Sequence, residues 1–291
     1  MGHGGDPRRV VSAGESAVAA PAAPTVAPAP VRAPSVRTRH FTCESVGHTF
    51  AGDRGHVVAL TDVSLAVDVN EFVCIVGPSG CGKSTLLRIV AGLQAPSSGR
   101  VQFEGEHATH RVRGGLVVQE HGTFPWMSVV DNVAFGLKLE GAPRDERRAR
   151  AMAYLERVGL APFADHYPHE LSVGMRQRLG IGRAMVVDAP LLLMDEPFGA
   201  LDAQTRRHMQ GELLGIWAAD RRTVVFVTHD IDEAVLLGDR VVVMSARPGR
   251  ILANIPIPFA RPRDLRRDAA EARAIVEDVW RLLDGPQGGA P

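Results

Sequence analysis

Residues 77–85 read Gly-Pro-Ser-Gly-Cys-Gly-Lys-Ser-Thr and match the phosphate-binding pattern G-x-x-x-x-G-K-[ST]. The run 72–76 before them is short, apolar and β-rich, which predicts a buried strand, and the run 86–91 after them predicts a helix. A strand, a glycine-rich loop and a helix in this order form the context that the motif requires. A glycine-rich turn with a chance lysine would not explain this agreement. The chain is therefore predicted to bind a nucleoside triphosphate.

The glycines of this loop let the backbone turn tightly and approach an anion without a Cβ in the way. Free backbone N–H groups and the positive end of the following helix then face the phosphates. Lys83 is long enough to reach the β and γ phosphates, and Ser84 can offer its hydroxyl to Mg²⁺. The predicted nucleotide contacts are Gly77, Pro78, Ser79, Gly80, Cys81, Gly82, Lys83, Ser84 and Thr85.

The cysteines Cys43, Cys74 and Cys81 are odd in number and have no framework spacing, so we predict free thiols in a reducing compartment. Cys81 lies in the phosphate loop, near Lys83 and a helix N-terminus, and both should favour its thiolate. This predicts a reactive thiol that bound nucleotide protects. The alternative is a small buried residue that does not react.

The charges of the chain balance, with 33 basic and 33 acidic residues. This balance gives no broad attraction to nucleic acid or to an acidic membrane face, so no nucleic-acid partner is expected. No run reaches the roughly 18 apolar residues that a membrane helix needs. Any membrane role must therefore come through a partner protein.

Residues 1–38 are rich in alanine, proline, valine and glycine. Such a segment cannot bury enough apolar surface to offset its ordering entropy, which predicts a disordered tail. The folded domain is predicted at 39–260, and residues 261–291 are predicted to form a C-terminal helix and a loose tail.

Two antiparallel strands are predicted at 41–50 and 57–69, and the fully apolar run 191–195 predicts a parallel strand covered on both faces. The same patterns predict further strands and helices. The strands lie at 100–104, 116–118, 223–228, 240–244 and 251–255, and the helices at 128–139, 144–158, about 175–187, 203–219, from 230, and 264–283.

Polar residues follow the predicted strands. Asp195 ends one strand, where its carboxylate can meet the Mg²⁺ held by Ser84, and the next carboxylate, Glu196, can orient or deprotonate an attacking water. His229 ends a strand predicted to be a neighbour, and the carboxyl ends of such strands form the ligand crevice. Gln119 also follows a short strand. For His229 and Gln119 a purely structural role is an equal alternative on these grounds.

The motifs GPSGCGKST, Gln119, LSVGMRQR, LLLMDEP, ALD at 200–202 and THD at 228–230 occur in this order. Together they resemble the ATP-binding subunit of an ABC transporter over about residues 40–255. The resemblance implies an α/β fold, a P-loop ABC ATPase with a mostly parallel core sheet, an antiparallel β subdomain and a helical subdomain at about 120–185. It also implies ATP hydrolysis, with ATP and Mg²⁺ bound.

Residue roles follow from the resemblance. Phe50 matches the aromatic residue that stacks on adenine. Lys83, Ser84 and the loop amides match the groups that hold phosphates and Mg²⁺. Asp195 matches the Walker B aspartate, and Glu196 matches the general base.

Five further roles follow in the same way. Gln119, which from its place after a strand could touch Mg²⁺ or the attacking water, matches the Q-loop glutamine, which joins the active site to the transporter interface. His229 matches the switch histidine, and Asp202 matches the D-loop aspartate, which communicates across a dimer. Ser172 and Gly174 belong to the signature motif, which caps the ATP held by a partner subunit.

The resemblance also implies partners. Two copies, or this chain and a second ATP-binding chain, would pair head to tail around two ATP molecules. Transmembrane permease subunits would hold the pair at the cytoplasmic face of the plasma membrane, as a peripheral protein. A solute-binding protein would act with the complex indirectly.

Two positions depart from the family pattern. Val173 replaces the first glycine of the usual L-S-G-G, and a β-branched residue excludes backbone conformations that glycine permits. A Val173 that is already helical would cost little, whereas a positive φ would strain it. Asn70 stands where a glycine usually precedes the P-loop strand.

The runs FPWMSV at 124–129, FGALDAQTR at 198–206 and ARPGRI at 246–251 resemble the nitrate, sulfonate and taurine importers. The sequence has no segment resembling the long C-terminal regulatory domain of the sugar-importer ATPases, which favours the same subfamily. A soluble ABC ATPase of DNA repair or translation is the alternative function, but it would usually carry two cassettes or a coiled-coil insertion. A P-loop kinase is a third possibility, but it has no use for a signature motif.

Overall fold

The computed structural model describes Met1 and residues 38–52, 55–105, 114–118, 122–219, 221–263 and 269–285. The predicted tail 1–38 therefore lies almost wholly outside the described residues. Nine strands are described: β1 (Arg39–Gly52), β2 (Gly55–Asp68), β3 (Phe72–Val76), β4 (Ser98–Phe103), β5 (Gly114–Val117), β6 (Leu191–Asp195), β7 (Thr223–Thr228), β8 (Arg240–Met244) and β9 (Ile251–Pro256).

Seven α-helices are described in the same part of the chain, with short 3-10 turns at Ala161–Phe163 and Pro168–Glu170. None of these described helices has both the length and the apolar character that crossing a membrane requires. The helices are α1 (Lys83–Val90), α2 (Val129–Leu139), α3 (Arg144–Arg157), α4 (Val173–Met185), α5 (Ala203–Ala219), α6 (Ile231–Leu237) and α7 (Ala269–Leu283).

The strands form two sheets. The larger sheet has the order β5-β6-β7-β3-β8-β9, and all its neighbouring pairs are parallel except β8 and β9, which are antiparallel. The smaller sheet, β2-β1-β4, is antiparallel throughout. The prediction of an α/β fold with a mostly parallel core sheet and a separate antiparallel sheet is confirmed.

The core lies on both faces of the large sheet. Along β3, Phe72, Cys74 and Val76 pack into one apolar cluster, and Val73 and Ile75 pack into the other. This alternation is the period of two expected of a strand. Because both faces are covered, the central strands β3, β6 and β7 are buried at every position, as their continuous apolar sequence predicts.

The first cluster joins the sheet to helices α2–α7, and the second joins it to α1 and to the small sheet. Four described helices follow a residue whose side-chain oxygen accepts a backbone N–H: Ser128 before α2, Ser172 before α4, Asp202 before α5 and Asp230 before α6. Such caps satisfy amides that the helix itself leaves unpaired. They fix the start of the helices that follow the predicted site segments.

Asn70 has a left-handed backbone, with φ of 63°, in the turn between β2 and β3. Its N–H donates to the hydroxyl of Thr223 at 3.0 Å. After glycine, asparagine is among the residues that tolerate this conformation best. This explains how the chain departs from the usual glycine here without disturbing the strand that leads into the P-loop.

Candidate nucleotide-binding site

The P-loop connects β3 to α1, as predicted. Gly80 and Gly82 have φ of 75° and 106°, a backbone that side chains rarely adopt. A Cβ on Gly82 would also lie only 2.6 Å from Leu60 Cδ2. Glycine is therefore required directly before α1, where the first free amides of the helix face the loop.

Lys83 folds back over the loop that precedes it. Its Nζ donates to the carbonyl of Gly77 at 2.8 Å and to that of Pro78 at 3.1 Å, and the residue is only 5% exposed. No carboxylate pairs with this ammonium within the described ranges. Its positive charge is thus held in place by backbone groups and remains available to an anion.

Ser84 and Asp195 meet at the start of α1 and the end of β6. The Ser84 hydroxyl donates to Asp195 Oδ1 at 3.0 Å. Burial raises the pKa of Asp195, and the hydrogen bond from Ser84 opposes that shift. A hydroxyl beside a carboxylate is the oxygen donor set that suits Mg²⁺ with nucleotide phosphates, so these residues fit a magnesium site.

Glu196 and His229 lie at the ends of neighbouring strands, since β6 and β7 pair in parallel up to Asp195 and Val227. The Glu196 Oε2 atom is 3.2 Å from His229 Nδ1. Glu196 has φ of 48°, an uncommon conformation that clusters at functional sites. The predicted proximity of His229 to the Asp195 strand is confirmed.

A cleft of ≈ 460 Å³ brings several predicted residues together. Its walls include part of the phosphate loop, the adenine-stacking candidate and the proposed base. Phe50 is partly exposed there, and His48 packs edge-on against its ring with the centroids 4.6 Å apart. The lining is Phe50, Val57, Ala59, Ser79, Gly80, Gly82, Lys83, Ser84, Thr85, Glu196 and Arg247.

The three residues that the resemblance assigns to contacts across a dimer, Ser172, Gly174 and Asp202, do not line this cleft. Ser172 caps α4, and Asp202 accepts from the N–H groups of Gln204 and Thr205 at the start of α5. A Cβ on Gly174 would contact Leu201, so the signature segment lies beside the residue before Asp202. That these residues serve a partner's nucleotide stays a prediction. Gln119 lies outside the described residues.

Gln177 is a residue that the sequence reasoning missed. It is buried in α4, where its Nε2 donates to the Glu196 carbonyl at 3.1 Å and its Oε1 accepts from the Ala200 N–H at 2.9 Å. The side chain thereby clamps the loop that carries the proposed base to the helix that carries the signature. Its position in LSVGMRQR was visible, but no spacing rule indicated this contact.

The expectation of a reactive thiolate at Cys81 is wrong. The residue is 1% exposed, and burial raises the pKa of its thiol although the nearby Lys83 charge acts in the opposite direction. A buried thiol loses more from desolvation of its anion than it gains from one cation. Cys81 is the small buried residue of the alternative interpretation.

Val173 is the first residue of α4 and is not among the described non-glycine residues with positive φ. It therefore adopts a helical backbone without strain, and its side chain is 48% exposed.

We expect Val173→Gly to change steady-state ATPase turnover by less than about tenfold, because the substitution removes no strain and costs only helix propensity. ATPase rates of the two proteins, assembled with the same permease, test this. A larger gain with glycine would contradict it.

The fold and the cleft together define a P-loop nucleotide-binding protein. Comparisons with known proteins identify the family within this class. The family model described as ABC transporter matches residues 60–199. A taurine import ATP-binding protein of Burkholderia thailandensis is 49% identical over 74% of this chain and 84% of its own length. A nitrate import ATP-binding protein of Synechocystis is 46% identical over 75% of this chain and 82% of its own length.

A solved structure is also similar: the dimeric, post-hydrolysis ATP-binding cassette MJ0796 bound to ADP and phosphate. It has a TM-score of 0.69 and 31% identity, covering 76% of this chain and all of that one. The chain belongs to the ATP-binding subunits of the ABC transporter family. It is accordingly an ATPase of the transporter type.

Proposed function

We propose that this chain is the ATP-hydrolysing motor of an importer for small anions such as taurine, other sulfonates or nitrate. The observation that carries the proposal is its identity of 46–49% to the taurine and nitrate import proteins over most of their length. The transported molecule would not touch this subunit. Its chemistry would instead be set by the permease and by a solute-binding protein.

In the proposed reaction the P-loop amides and Lys83 would bind the ATP phosphates. Ser84 and Asp195 would hold Mg²⁺, which would neutralise charge on the phosphates. Glu196 orients a water and accepts its proton as the water oxygen bonds to the γ-phosphorus and the bond to ADP breaks. His229, 3.2 Å from Glu196, holds that carboxylate at the strand end. The signature-motif residues Ser172 and Gly174 would cap the ATP bound by a second subunit.

Two subunits would pair head to tail, so that the signature residues of one chain reach the ATP bound by the other. The dimeric state of the similar solved cassette supports such a pair. ATP would close the pair, and hydrolysis with product release would reopen it. Permease subunits bound to both chains would convert this motion into transport. We place the complex at the cytoplasmic face of the plasma membrane, with this subunit held there peripherally.

The segment 122–128 supports permease docking. Phe124 packs against Phe135 with ring centroids 4.6 Å apart, and the Arg183 guanidinium lies 5.1 Å from its ring. The fully buried Asn132 donates to the carbonyls of residues 124, 127 and 128. Phe124 thus belongs to the local packing, whereas Trp126 is 70% exposed at the surface of this ordered turn.

We expect Trp126→Ala to keep basal ATPase activity and to lose permease binding and transport, because an exposed aromatic in a fixed turn is a typical anchor for a partner's helix. Copurification with a transmembrane permease coexpressed with this chain, followed by uptake of taurine, sulfonates and nitrate, measures both. Trp280→Ala is the matched control, since Trp280 is 51% exposed on α7.

Loss of folding in Trp126→Ala would favour a core role for this residue. Full transport by that variant would contradict the docking site. Failure of the unaltered chain to copurify with any permease would favour the alternative, a soluble ABC ATPase in DNA repair or translation.

A further inference from the structure

The turn between β8 and β9 is tightly organised. The Ser245 N–H donates to the Arg250 carbonyl at 2.9 Å. The Ser245 hydroxyl accepts from the Arg250 N–H at 3.0 Å and donates to the Pro248 carbonyl at 3.0 Å. These bonds close the turn by joining Ser245 to Arg250 and to the Pro248 carbonyl.

This turn is packed directly on the P-loop. A Cβ on Gly249 would lie 2.1 Å from the carbonyl oxygen of Cys81, closer than any real contact. The Gly249 N–H donates to the Ala59 carbonyl at 2.9 Å, and its carbonyl accepts from Thr61 at 3.0 Å. The absence of a side chain at Gly249 therefore lets the turn sit between β2 and the phosphate loop.

Arg247 extends from the turn to the cleft. Its Nε donates to the Gly80 carbonyl at 3.2 Å, and its Nη2 lies 3.1 Å from the position that a Cβ of Gly80 would take. The residue is exposed, and the structure gives it no carboxylate partner within the ranges that it describes. One N–H is thus used to hold the guanidinium against the loop, and its other N–H groups make no hydrogen bond to the part of the chain that the structure describes.

The cleft lining contains two basic residues among those described, Lys83 and Arg247. Lys83 supplies a compact charge from inside the loop. A guanidinium supplies a planar set of donors that suits phosphate oxygens. Arg250, three residues further along the same turn, is exposed but does not line the cleft.

We propose that Arg247 binds the phosphates of ATP directly, as a second cation on the outer side of the P-loop. The inference rests on the proposed function, since it takes ATP as the ligand of this cleft. It adds to the site a residue from the β8–β9 turn, which lies in the ARPGRI run at 246–251 but which the sequence analysis did not assign to the nucleotide site. The contact would be lost if the turn moved away from Gly80.

The test is the equilibrium Kd for ATP and ADP, measured by calorimetry on the full chain carrying Glu196→Gln to prevent turnover. We expect Arg247→Ala to weaken ATP binding at least about tenfold, the effect of one charge-assisted hydrogen bond. Arg247→Lys should recover only part of the affinity. Arg250→Ala removes an exposed arginine from the same turn and should change Kd by less than about twofold.

Equal ATP affinity of the Arg247→Ala and Arg250→Ala proteins would overturn the proposal. So would an Arg247→Ala protein that binds ATP normally but no longer dimerises with it, because the guanidinium would then face a partner subunit. A matching thermal unfolding midpoint without nucleotide shows that the variant is folded. If the parent protein itself binds no ATP, the proposed function fails, and that result is separate from failure at Arg247.

Discussion

Replacing Glu196 with glutamine is expected to slow ATP hydrolysis by about 10²–10⁴-fold while ATP still binds. The amide keeps the shape of the side chain but cannot accept a proton from water. Glu196 lines the cleft and lies 3.2 Å from His229, at the end of the strand that also carries Asp195. The phosphate-binding residues are left unchanged, so the defect should appear in turnover rather than in nucleotide affinity.

The variant should therefore accumulate in an ATP-bound dimer, which size-exclusion chromatography with ATP and Mg²⁺ detects. Glu146→Gln, the same chemical change at an exposed position on α3, should retain the parent rate. Full ATPase turnover by the Glu196→Gln variant would contradict the assignment of Glu196 as the general base. A slow variant that stays monomeric with ATP would argue against the head-to-tail pair.

The sequence predicted the framework of this site because each part carries a local signal. The run from Phe72 to Val76 is apolar at every position, as a strand covered on both faces must be, and the glycines after it permit the turn. The positions of Asp195 and His229 follow from strand ends that meet at one edge of a sheet. These features depend on neighbours in sequence or on one simple topological rule.

The contacts of Arg247 and Gln177 could not be predicted in this way. Arg247 reaches Gly80 from a turn that lies far away along the chain, and only the close approach at Gly249 brings the two segments together. Gln177 finds the Glu196 carbonyl through the packing of a helix against a loop. Such contacts are set by tertiary packing, which residue patterns do not specify.

The reactivity of Cys81 could not be predicted from the sequence either, because it also depends on tertiary packing. Its sequence neighbours, a lysine and a helix N-terminus, favour a thiolate, but the depth of burial decides the sign of the pKa shift. Burial here depends on Met244 and on the turn around Gly249, both of which pack close to the loop.

The subdomain boundaries at 120–185 and 261–291, and the roles of Ser172, Gly174 and Asp202, remain predictions.

Replacing Lys83 with alanine is expected to weaken ATP binding by about 10–100-fold, because one charge-assisted contact contributes about 1.5–3 kcal/mol. Lys83 is buried, and its ammonium is held by the carbonyls of Gly77 and Pro78. The substitution removes the charge that faces the phosphates and also removes the hydrogen bonds from Lys83 to those two carbonyls. Hydrolysis should fall with binding, since the γ-phosphate would no longer be positioned.

Calorimetric titration with ATP measures the loss, and the rise of the thermal midpoint with added ATP gives a second measure, since a ligand that binds only the folded state stabilises it. Lys138→Ala removes an exposed lysine at the end of α2 and should bind ATP as the parent does. Lys83→Met keeps most of the apolar packing of the side chain and separates the effect of charge from that of a cavity. Near-parent ATP affinity in both Lys83 variants would refute the assignment of this loop as the phosphate site. Among the described residues of the loop, Lys83 alone has a positively charged side chain that could bind the phosphates.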